Sequence, residues 1–226
     1  MGSLRDEAAV PYVAVIAAAG LGERMGGPKA LLAIRWGDNS GELPLAIAHA
    51  RAHLEGGAER VVLVTRAEVA RVLSRFAQPG LDIVISTARE DLGPAGSIRT
   101  ALELCELRDD AWLMIEPVDM PASSGAIRRE LLTAAARVPA PSAVRPLFEG
   151  KRGHPVLVQR RALGEFLSQS PPPLREVLQR LEAAGEVVDV SVDDKRAITD
   201  FDVPADVTAF YGESARFFEQ DEPTFA

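Results

Sequence analysis

The sequence has little cysteine, few aromatic residues and no excess of basic charge. Cys105 is its single cysteine, so the chain can form no internal disulfide and a cysteine-based metal site is not expected. Lys and Arg number 25 against 33 for Asp and Glu, which gives a formal net charge of -8. This balance argues against a long surface for nucleic acid or an anionic membrane, so any phosphate binding must be local.

Long apolar runs are also missing. No stretch is long enough to span a bilayer. The short apolar run near the start has one basic residue before it and ends in a glycine-rich turn rather than a cleavage site, so we expect no signal peptide. The expected location is therefore the cytoplasm.

What the chain does have is the composition of an ordinary globular protein. It contains 226 residues, of which 47% are hydrophobic and 26% are charged. That length suits one large α/β domain or two small ones. Because we find no internal repeat and no clear linker, we expect residues 1–226 to form a single domain, with a core over about residues 11–212 and frayed termini.

The order of apolar residues predicts a regular alternation of strands and helices up to residue 140. Short β-branched runs predict strands at 12–18, 60–64, 81–86 and 111–115. A period of three to four residues predicts helices at 44–54, 67–76, 95–107 and 123–138. Such alternation implies an α/β fold, in which a mainly parallel sheet is covered by helices on both faces.

The pattern changes after residue 140. Two extended stretches within residues 142–159 flank the polar segment EGKRGHP and predict a β-hairpin or another strand pair with a functional turn. Helical patterns follow at 161–167 and 174–184. A last strand is predicted at 187–192, and a C-terminal helix after the segment ITDFDVPAD.

The most informative segment is the glycine-rich turn AAGLGERMGGPK at residues 18–29, which follows the first predicted strand. Its four glycines let the backbone approach a ligand and adopt positive φ values. Successive backbone amides can then form an anion-binding concavity, to which Arg24 and Lys29 add positive charge. The alternative is a strand–helix turn with incidental charges, but the combination favours a triphosphate-binding loop.

Two better-known phosphate loops do not match this turn. The dinucleotide fingerprint would need a glycine at Met25, and the P-loop would need a lysine at Pro28. The turn instead resembles the signature of the MobA-like nucleotidyltransferases, Leu-Ala-(Ala/Gly)-Gly-x-(Gly/Ser)-x-Arg-Met-Gly-x-(Pro/Asp)-Lys. Ala17 replaces the leading Leu, and the resemblance extends from about Val13 to about Ala209.

This resemblance implies a three-layer, Rossmann-like nucleotidyltransferase fold and a particular reaction. A phosphate of the acceptor would attack the α-phosphorus of a nucleoside triphosphate, and pyrophosphate would leave. Catalysis of this kind is mostly positioning and charge neutralisation, so no protein nucleophile is needed. The resemblance implies Lys29, Arg24 and Asp119 as catalytic residues, and Ala18, Ala19, Gly20, Gly22, Arg24 and Lys29 as nucleotide-binding residues of the loop.

An aspartate follows the strand predicted at 111–115. Ligands of open parallel sheets bind beyond the carboxyl ends of the strands, and Asp119 lies at such an end. A carboxylate there can hold Mg²⁺ against triphosphate oxygens, whereas the alternative role is a helix N-cap. The Val-Asp-Met-Pro segment also resembles the family motif Asp-(Met/Gln)-Pro, whose Asp binds the metal.

Further aspartates lie in the DFDVPAD segment near the C-terminus. It resembles the family motif Asp-Ile-Asp-Thr-Pro-Glu-Asp, although Val203 replaces Thr and Ala205 replaces Glu. If the DFD stretch is extended, its two carboxylates face the same side. One of them would complete the metal site with Asp119, and we favour Asp202 over Asp200. Capping of the last helix is the alternative.

Two segments are candidates for binding the nucleobase and the acceptor. The family has a Gly/Ser-rich segment at the start of the helix predicted at 95–107, which makes Gly96 and Ser97 candidates for contacting the base, with a plain N-cap as the alternative. The segment GKRGHPV resembles Gly-x-Arg-Gly-His-Pro-Val of the molybdenum cofactor cytidylyltransferases, a subset of the family. Arg152 and His154 are therefore candidates for binding the acceptor's phosphate or pterin, and a solvated hairpin turn is the alternative.

Three other residues are interpreted as structural. His49 and His53 have the i, i+4 spacing of a helical metal pair, but no third ligand stands near them in the sequence. We therefore interpret both as surface or packing residues. Cys105 shares a predicted helix with several apolar residues and is expected to be a buried thiol.

The resemblance favours CTP as the nucleotide and molybdopterin carrying molybdenum as the acceptor, because the Ala-Ala-Gly opening and the RGHPV segment both resemble the CTP branch of the family. The alternatives are GTP, an acceptor such as a sugar 1-phosphate, an alkyl phosphate or a phosphonate, and a non-catalytic cofactor-binding chaperone. Lys29 and Asp119 argue against the chaperone, and Met25 argues against a nicotinamide oxidoreductase. The expected cofactor is Mg²⁺. A molybdoenzyme or a cofactor-insertion protein is an expected partner, and neither nucleic acid nor a membrane is.

Overall fold

The computed structural model describes residues 10–37, 41–89, 92–137 and 139–218. Its strands are β1 Tyr12–Ala18, β2 Ala33–Arg35, β3 Glu42–Pro44, β4 Arg60–Thr65, β5 Leu81–Ile85, β6 Trp112–Pro117, β7 Ala143–Phe148, β8 Lys151–Arg152, β9 Val156–Gln159 and β10 Val187–Ser191. Its α-helices are α1 Leu45–Glu55, α2 Ala67–Leu73, α3 Gly93–Leu104, α4 Gly125–Ala135, α5 Leu174–Ala183 and α6 Pro204–Tyr211. None of these helices is long and apolar enough to cross a membrane.

The main sheet has eight strands in the order β10-β7-β9-β6-β1-β4-β5, with β8 paired to β7. Strand β1 lies near its centre and pairs in parallel with β4 on one side and β6 on the other. The β4–β5 and β7–β10 pairs are also parallel, whereas β9 runs antiparallel to both β6 and β7. The predicted α/β fold with a mainly parallel sheet is confirmed.

Burial on both faces explains why β1 reads as an uninterrupted apolar run. All seven of its residues are buried, and alternate side chains enter different cores. Tyr12, Ala14 and Ile16 face the layer that contains α1 and α4. Val13 and Val15 face the layer that contains α3 and α5. The helices thus cover the sheet on both sides, which gives three layers.

The structure confirms the strand pair predicted within residues 142–159, since β7 and β9 pair in antiparallel fashion and flank residues 149–155. It adds a third strand, β8, which was not predicted. Strands β7 and β8 form a hairpin whose turn places Glu149 and Gly150 at φ values of 48° and 79°. Strand β9 is inserted between β7 and β6 and makes more of its pairs with β6. Short strands cannot reveal their partners from their own pattern, because pairing is decided by the rest of the sheet.

The C-terminal segment packs on the rest of the protein beyond residue 212, the predicted end of the core. The backbone N–H of Phe218 donates to the carbonyl oxygen of Leu31 at 2.9 Å, and that of Ala33 donates to Arg216 at 2.8 Å. Phe217 contacts Gly27 of the glycine-rich turn. The prediction of a frayed C-terminus is therefore wrong for residues 216–218, while residues 1–9 and 219–226 lie outside the described part of the chain.

Candidate active site

A first cavity of about 660 Å³ lies where the parallel strands β1, β4, β5 and β6 end. This is the edge at which open parallel sheets bind ligands. The glycine-rich turn after β1 and the start of α3 both line it. We call it the nucleotide cavity. Its lining residues include Ala17, Ala19, Gly20, Gly22, Arg24, Lys29, Ser97, Asp119 and Asp202.

The glycine-rich turn is built from two 3-10 helices, Glu23–Met25 and Lys29–Leu31. Gly22 has a φ of 68°, and a Cβ atom there would lie 2.0 Å from the carbonyl oxygen of Gly27. Only glycine fits this position. The carbonyl oxygen of Gly22 accepts the backbone N–H groups of Met25 and Gly27 at 2.9 and 3.3 Å, so the turn closes on itself and presents its side chains to the cavity.

Lys29 lies between two carboxylates at the end of this turn. Its Nζ is 3.5 Å from Oδ2 of Asp119 and 3.6 Å from Oδ1 of Asp202. Arg24 reaches the same Asp202 and donates through Nη2 at 3.0 Å and through Nη1 at 3.4 Å. The ion pair between Arg24 and Asp202 is exposed and therefore contributes only about 0–1 kcal/mol, so these two side chains can change partners.

Backbone hydrogen bonds hold the two aspartate segments side by side. The N–H of Val118 donates to the carbonyl oxygen of Ala17 at 3.0 Å, which ties the segment before Asp119 to the end of β1. The N–H of Phe201 donates to the carbonyl oxygen of Asp119 at 2.6 Å. Phe201 is fully buried, whereas the aspartates that flank it are not. Its burial fixes the segment and leaves the flanking carboxylates at the surface.

Of these two flanking aspartates, only Asp202 lines the nucleotide cavity. Partial burial, together with the charges of Asp119 and Asp202, raises the pKa of Asp200 above its ordinary value. The capping role considered for this segment belongs to Asp206, whose Oδ2 accepts the backbone N–H groups of Asp202 and Val203 at 2.8 and 2.9 Å. Asp202 thus remains available at the cavity, beside Lys29.

The carboxylates at this site suit a magnesium ion that takes some of its ligands from the protein and the others from a substrate. Among the described residues no group of three or more His, Cys, Asp and Glu side chains is arranged to hold a metal ion. Asp119 and Asp202 nevertheless share one cation, the ammonium group of Lys29. Mg²⁺ is usually bound by one or two carboxylates together with substrate phosphates and water, rather than by a complete protein cage. Two carboxylates beside a phosphate loop fit that description.

Two of the predicted nucleotide-binding residues do not line this cavity. Ala18 is 1% exposed, because strand alternation turns its side chain to the α1 layer. Gly96 faces the loop before α3, where a Cβ atom would lie 2.7 Å from that of Ala88. The neighbours Ala17, Ala19 and Ser97 line the cavity.

Several side chains that line the cavity were not predicted from the sequence. Arg66 follows β4 directly, and Ser86 follows β5. Arg89 lies in the loop that leads to α3. The rule that ligands bind beyond the carboxyl ends of parallel strands would have indicated the first two, had it been applied to every predicted strand.

Arg152 and His154 line a second cavity, of about 780 Å³, which we call the acceptor cavity. It adjoins the nucleotide cavity, and both are lined by Ala17, Gly93, Pro94 and Pro117. Its other walls are largely apolar and include Ala95, Ile98, Ile115, Val156, Leu174 and Leu178. The two sets of predicted binding residues therefore lie in adjoining but distinct spaces.

Acidic side chains already pair with Arg152. Its guanidinium contacts Glu182 closely, and its Nε donates to Asp189 at 3.3 Å. Arg145, which is buried, binds the same Asp189 through Nε and Nη2 at 2.7 and 3.1 Å. Two arginines and two acids thus form a charge-balanced cluster at the wall of the acceptor cavity.

His154 is held by the neighbouring backbone. Its backbone N–H donates to the carbonyl oxygen of Ala197 at 2.8 Å, and Gly153 approaches that residue so closely that a Cβ atom would lie 1.9 Å from the same oxygen. Burial lowers the pKa of His154 despite the opposing charges of Glu116 and Asp119. Its Nδ1 atom is buried and has no hydrogen-bond partner among the described residues. A neutral imidazole with a spare nitrogen therefore faces this region.

The structure places His49 and His53 in the core and not at the surface. Both are fully buried, and both approach the carboxylate of Glu116. Packing was one of the two roles expected for them, and the surface role is wrong. Cys105 is a buried thiol as predicted, and burial raises its pKa.

Known proteins share both this fold and this sequence pattern. The family model of the MobA-like NTP transferase domain, which describes its sequences, matches residues 14–187 of this chain. No curated protein matches the sequence. The chain resembles the crystal structure of Rv0371c from Mycobacterium tuberculosis H37Rv with 22% identity over 91% of this chain and 100% of that chain, at a TM-score of 0.67.

Two further structures show the same likeness. The manganese complex of Rv0371C from the same organism has 20% identity over 91% of this chain and 100% of that chain, at a TM-score of 0.65. Mth528, a nucleotidyl transferase from Methanothermobacter thermautotroptrophicus, has 19% identity over 89% of this chain and 96% of that chain, at a TM-score of 0.67. These structures establish the fold, and the family match spans more than half of the chain. The chain therefore belongs to the MobA-like NTP transferase domain family and is a nucleotidyltransferase.

Proposed function

We propose that the protein transfers the NMP unit of a nucleoside triphosphate to a phosphorylated small molecule, releases pyrophosphate and uses Mg²⁺ as its cofactor. One observation carries this proposal. The ammonium group of Lys29 lies between Asp119 and Asp202 at the end of the glycine-rich turn. A phosphate loop, a lysine and two carboxylates supply the positioning and charge neutralisation that this chemistry needs.

In the proposed reaction the side chains bind and orient, and they form no bond to the substrate. An oxygen of the acceptor's phosphate forms a bond to the α-phosphorus, while the bond from that phosphorus to the oxygen bridging to the β-phosphate breaks. Arg24, Lys29 and the loop amides take up the negative charge that develops on the leaving pyrophosphate. Asp119 and Asp202 would hold Mg²⁺, which neutralises phosphate charge and aligns the two reactants when bound.

The proposed nucleotide is CTP, and GTP is the alternative. The proposal rests on the resemblance of the Ala18-Ala19-Gly20 opening and of the RGHPV segment to the CTP branch of the family. Ser97 at the wall of the nucleotide cavity is the candidate for contacting the base, because it is 2% exposed and lies in the first turns of α3.

The proposed acceptor binds in the acceptor cavity and carries a heterocyclic ring system. A cavity of about 780 Å³ accommodates more than an alkyl phosphate. Its largely apolar walls would leave most hydroxyl groups of a sugar 1-phosphate without hydrogen-bond partners, which is costly. Molybdopterin is larger than an alkyl phosphate. The faces of its ring system can pack on the apolar walls, while its polar ring edges and its terminal phosphate meet the charged side chains of the cavity. A molybdoenzyme or a cofactor-insertion protein is the proposed recipient of its product.

Three side chains are proposed to bind the polar groups of this acceptor. Arg152 can share its N–H groups between its acidic partners and an incoming anion, and His154 can accept or donate one hydrogen bond. Arg175 also lines the cavity, and no carboxylate in the described part of the chain pairs with it. Because no described carboxylate neutralises Arg175, we expect it to attract an anionic group more strongly than Arg152 does.

A pyrophosphate-release assay tests the proposal. The purified protein is incubated with each of the four NTPs, Mg²⁺ and a panel containing molybdopterin, a sugar 1-phosphate, an alkyl phosphate and a phosphonate. We expect pyrophosphate release with CTP and molybdopterin, and its loss when EDTA removes the metal. Release with GTP alone would contradict the choice of nucleotide, and release with a sugar phosphate alone would contradict the choice of acceptor. Failure to release pyrophosphate under every condition would contradict the proposed function.

A further inference from the structure

A buried ionic group lies directly behind the segment that carries Asp119. Glu116, near the end of β6, is fully buried. Strand alternation turns it to the α1 and α4 layer, away from both cavities, and it lines neither. His53 Nε2 lies 2.6 Å from its Oε2, and His49 Nδ1 lies 3.4 Å from the same oxygen.

Glu116 and His49 also contact the loop that follows β6. The backbone N–H of Ser123 donates to Oε1 of Glu116 at 2.8 Å. Nε2 of His49 lies 2.9 Å from the carbonyl oxygen of Met120, the residue after Asp119. A carbonyl oxygen only accepts hydrogen bonds, so Nε2 of His49 carries a proton and donates it. The loop is therefore fastened to α1 at Met120 and to β6 at Ser123, on either side of its turn.

Burying these charged and polar side chains costs free energy, so stability alone does not explain the arrangement. A buried carboxylate is strongly desolvated, and replacing buried ionic groups by apolar ones of similar volume is often neutral or stabilising. Burial alone would raise the pKa of Glu116, but His49 and His53 outweigh it and hold that pKa well below its ordinary value. The carboxylate is therefore ionised and anchors the loop as a charged acceptor.

Few other hydrogen bonds hold the loop after β6 near Asp119. The N–H of Val118 is bound by Ala17, and the carbonyl oxygen of Asp119 is bound by Phe201. Among the described side chains, the carboxylate of Asp119 itself is contacted only by the ammonium group of Lys29, at 3.5 Å. The direction of that carboxylate is thus set by the backbone on its two sides. On its C-terminal side the carbonyl oxygen of Asp119 accepts from Phe201, and the next carbonyl oxygen, that of Met120, accepts from His49.

We propose that His49 and Glu116 are positioning residues, which fix the Met120 side of the loop and so aim the Asp119 carboxylate at its metal. The proposal rests on the proposed role of Asp119 as a metal ligand. His53 binds the same Glu116 but makes no contact with the loop, since its other ring nitrogen lies 3.5 Å from the hydroxyl group of Tyr12. The chain thus provides a matched control one helical turn away, with equal burial.

The experiment compares His49→Leu with His53→Leu. Both remove a fully buried imidazole beside Glu116, but only His49→Leu removes the donor to Met120. Mn²⁺ binding is measured by electron paramagnetic resonance without substrate, and the thermal unfolding midpoint of each variant is recorded. We expect the dissociation constant for Mn²⁺ to rise about tenfold or more in His49→Leu and to stay within about twofold in His53→Leu, in line with the loss seen when outer-shell partners are removed. His49→Gln, which keeps a donor, should recover most of the affinity.

Other outcomes would overturn the proposal. Equal Mn²⁺ affinity in the two leucine variants would make the group merely structural, and so would a failure of His49→Gln to recover affinity in a folded protein. If His49→Leu does not fold, His49→Met supplies a second variant without a donor, because a flexible thioether fills irregular space. Absence of Mn²⁺ binding by the wild-type protein would overturn this proposal too. If the wild-type protein still released pyrophosphate, the proposed function would stand although the positioning role of His49 and Glu116 had been disproved.

Discussion

At the scale of single residues, the site depends on three charged side chains and one glycine. Lys29 connects Asp119 and Asp202, and Gly22 allows the turn that brings the lysine there. These four residues were all predicted from the sequence, because phosphate chemistry restricts the residue types and their spacing. What the sequence could not provide is the pairing of Lys29 with both aspartates, which lie about 90 and more than 170 positions away along the chain.

Replacing Lys29 by Ala should remove turnover and leave the fold intact. The ammonium group takes up charge on the leaving pyrophosphate, so we expect kcat/KM to fall by about 10²-fold or more. The thermal midpoint should change little, because the ion pairs of Lys29 involve half-exposed carboxylates. Lys151→Ala, an exposed lysine that lines neither cavity, is the control and should keep full activity. Wild-type turnover by Lys29→Ala would disprove the phosphate role.

Because the hydroxyl group of Tyr12 is buried, the free energy of unfolding should decrease at alkaline pH. Burial raises the pKa of its hydroxyl group from 10.0 to about 12, with a smaller raising effect of Glu116 and an opposing one of Arg128. Because the folded value lies above the unfolded one, this contribution is complete below pH 10 and is lost as the pH rises towards 12. The loss amounts to about 2–3 kcal/mol of unfolding free energy.

Urea unfolding between pH 8 and pH 12 measures this effect, with Tyr12→Phe as the comparison. The variant cannot ionise at this position, so its stability should decrease less steeply than that of the wild type above pH 10. Tyr211, whose pKa burial also raises to about 12, and Cys105, whose pKa burial raises too, contribute to the decrease that remains. Parallel curves for the two proteins would show that Tyr12 does not cause the alkaline loss.

At the scale of elements, long and strongly periodic segments were predicted well and short ones were not. Strand β1 was predicted at its observed bounds, and the strands that became β4, β5 and β6 lie within two residues of theirs. Burial on both faces leaves a clear apolar run in β1, β4 and β6, whereas the half-buried edge strand β5 was recognised from its β-branched residues. Strands β2 and β3 were missed, since three residues cannot display a period. The place of β9 between β6 and β7 was not predictable, because it depends on partners that are distant in sequence.

The C-terminal segment provides a test at this scale. The Phe217 ring lies 3.2 Å from where a Cβ atom of Gly27 would stand, and Gly27 closes the turn by its bond to Gly22. Phe217→Ala should therefore loosen the phosphate loop and raise KM for the nucleotide several-fold. Its stability should decrease by about 1–3 kcal/mol, because the ring is only partly buried.

The adjacent Phe218→Ala is the matched control for this variant. That ring packs edge-to-face on Phe76 at 5.7 Å between centroids rather than on the glycine-rich turn. A comparable decrease in stability with an unchanged KM is expected. If the two variants raise KM equally, the segment supports the fold in general and not the phosphate loop.

At the scale of the whole molecule, two adjoining cavities separate the proposed nucleotide from the proposed acceptor. They share four lining residues, at the ends of β1 and β6 and the start of α3, where the reacting phosphates would meet. The sequence predicted that Arg152 and His154 would lie apart from the triphosphate loop. It could not predict that Asp189 and Glu182 pair with Arg152, or that Arg175 enters the same cavity. That a single domain comprises the entire chain stays a prediction.

The division between the cavities predicts separable effects on the two substrates. Replacing Arg152 and His154 together by Ala should raise KM for the acceptor about tenfold and leave the dissociation constant of CTP, measured by calorimetry, nearly unchanged. Arg175→Ala should raise KM for the acceptor at least as much, because no carboxylate of the described residues pairs with Arg175. Loss of CTP affinity with an unchanged acceptor KM would reverse the assignment of the two cavities.

The central claim is that this molecule transfers the α-phosphorus of a nucleotide to an acceptor. The most direct measurement follows CTP labelled with ³²P at either the α or the γ position, in the presence of Mg²⁺ and molybdopterin. Transfer of the NMP unit predicts that the α label appears in the acceptor product and the γ label in pyrophosphate, in equal amounts. Appearance of the γ label in the acceptor, or of the α label only in free CMP, would contradict the account.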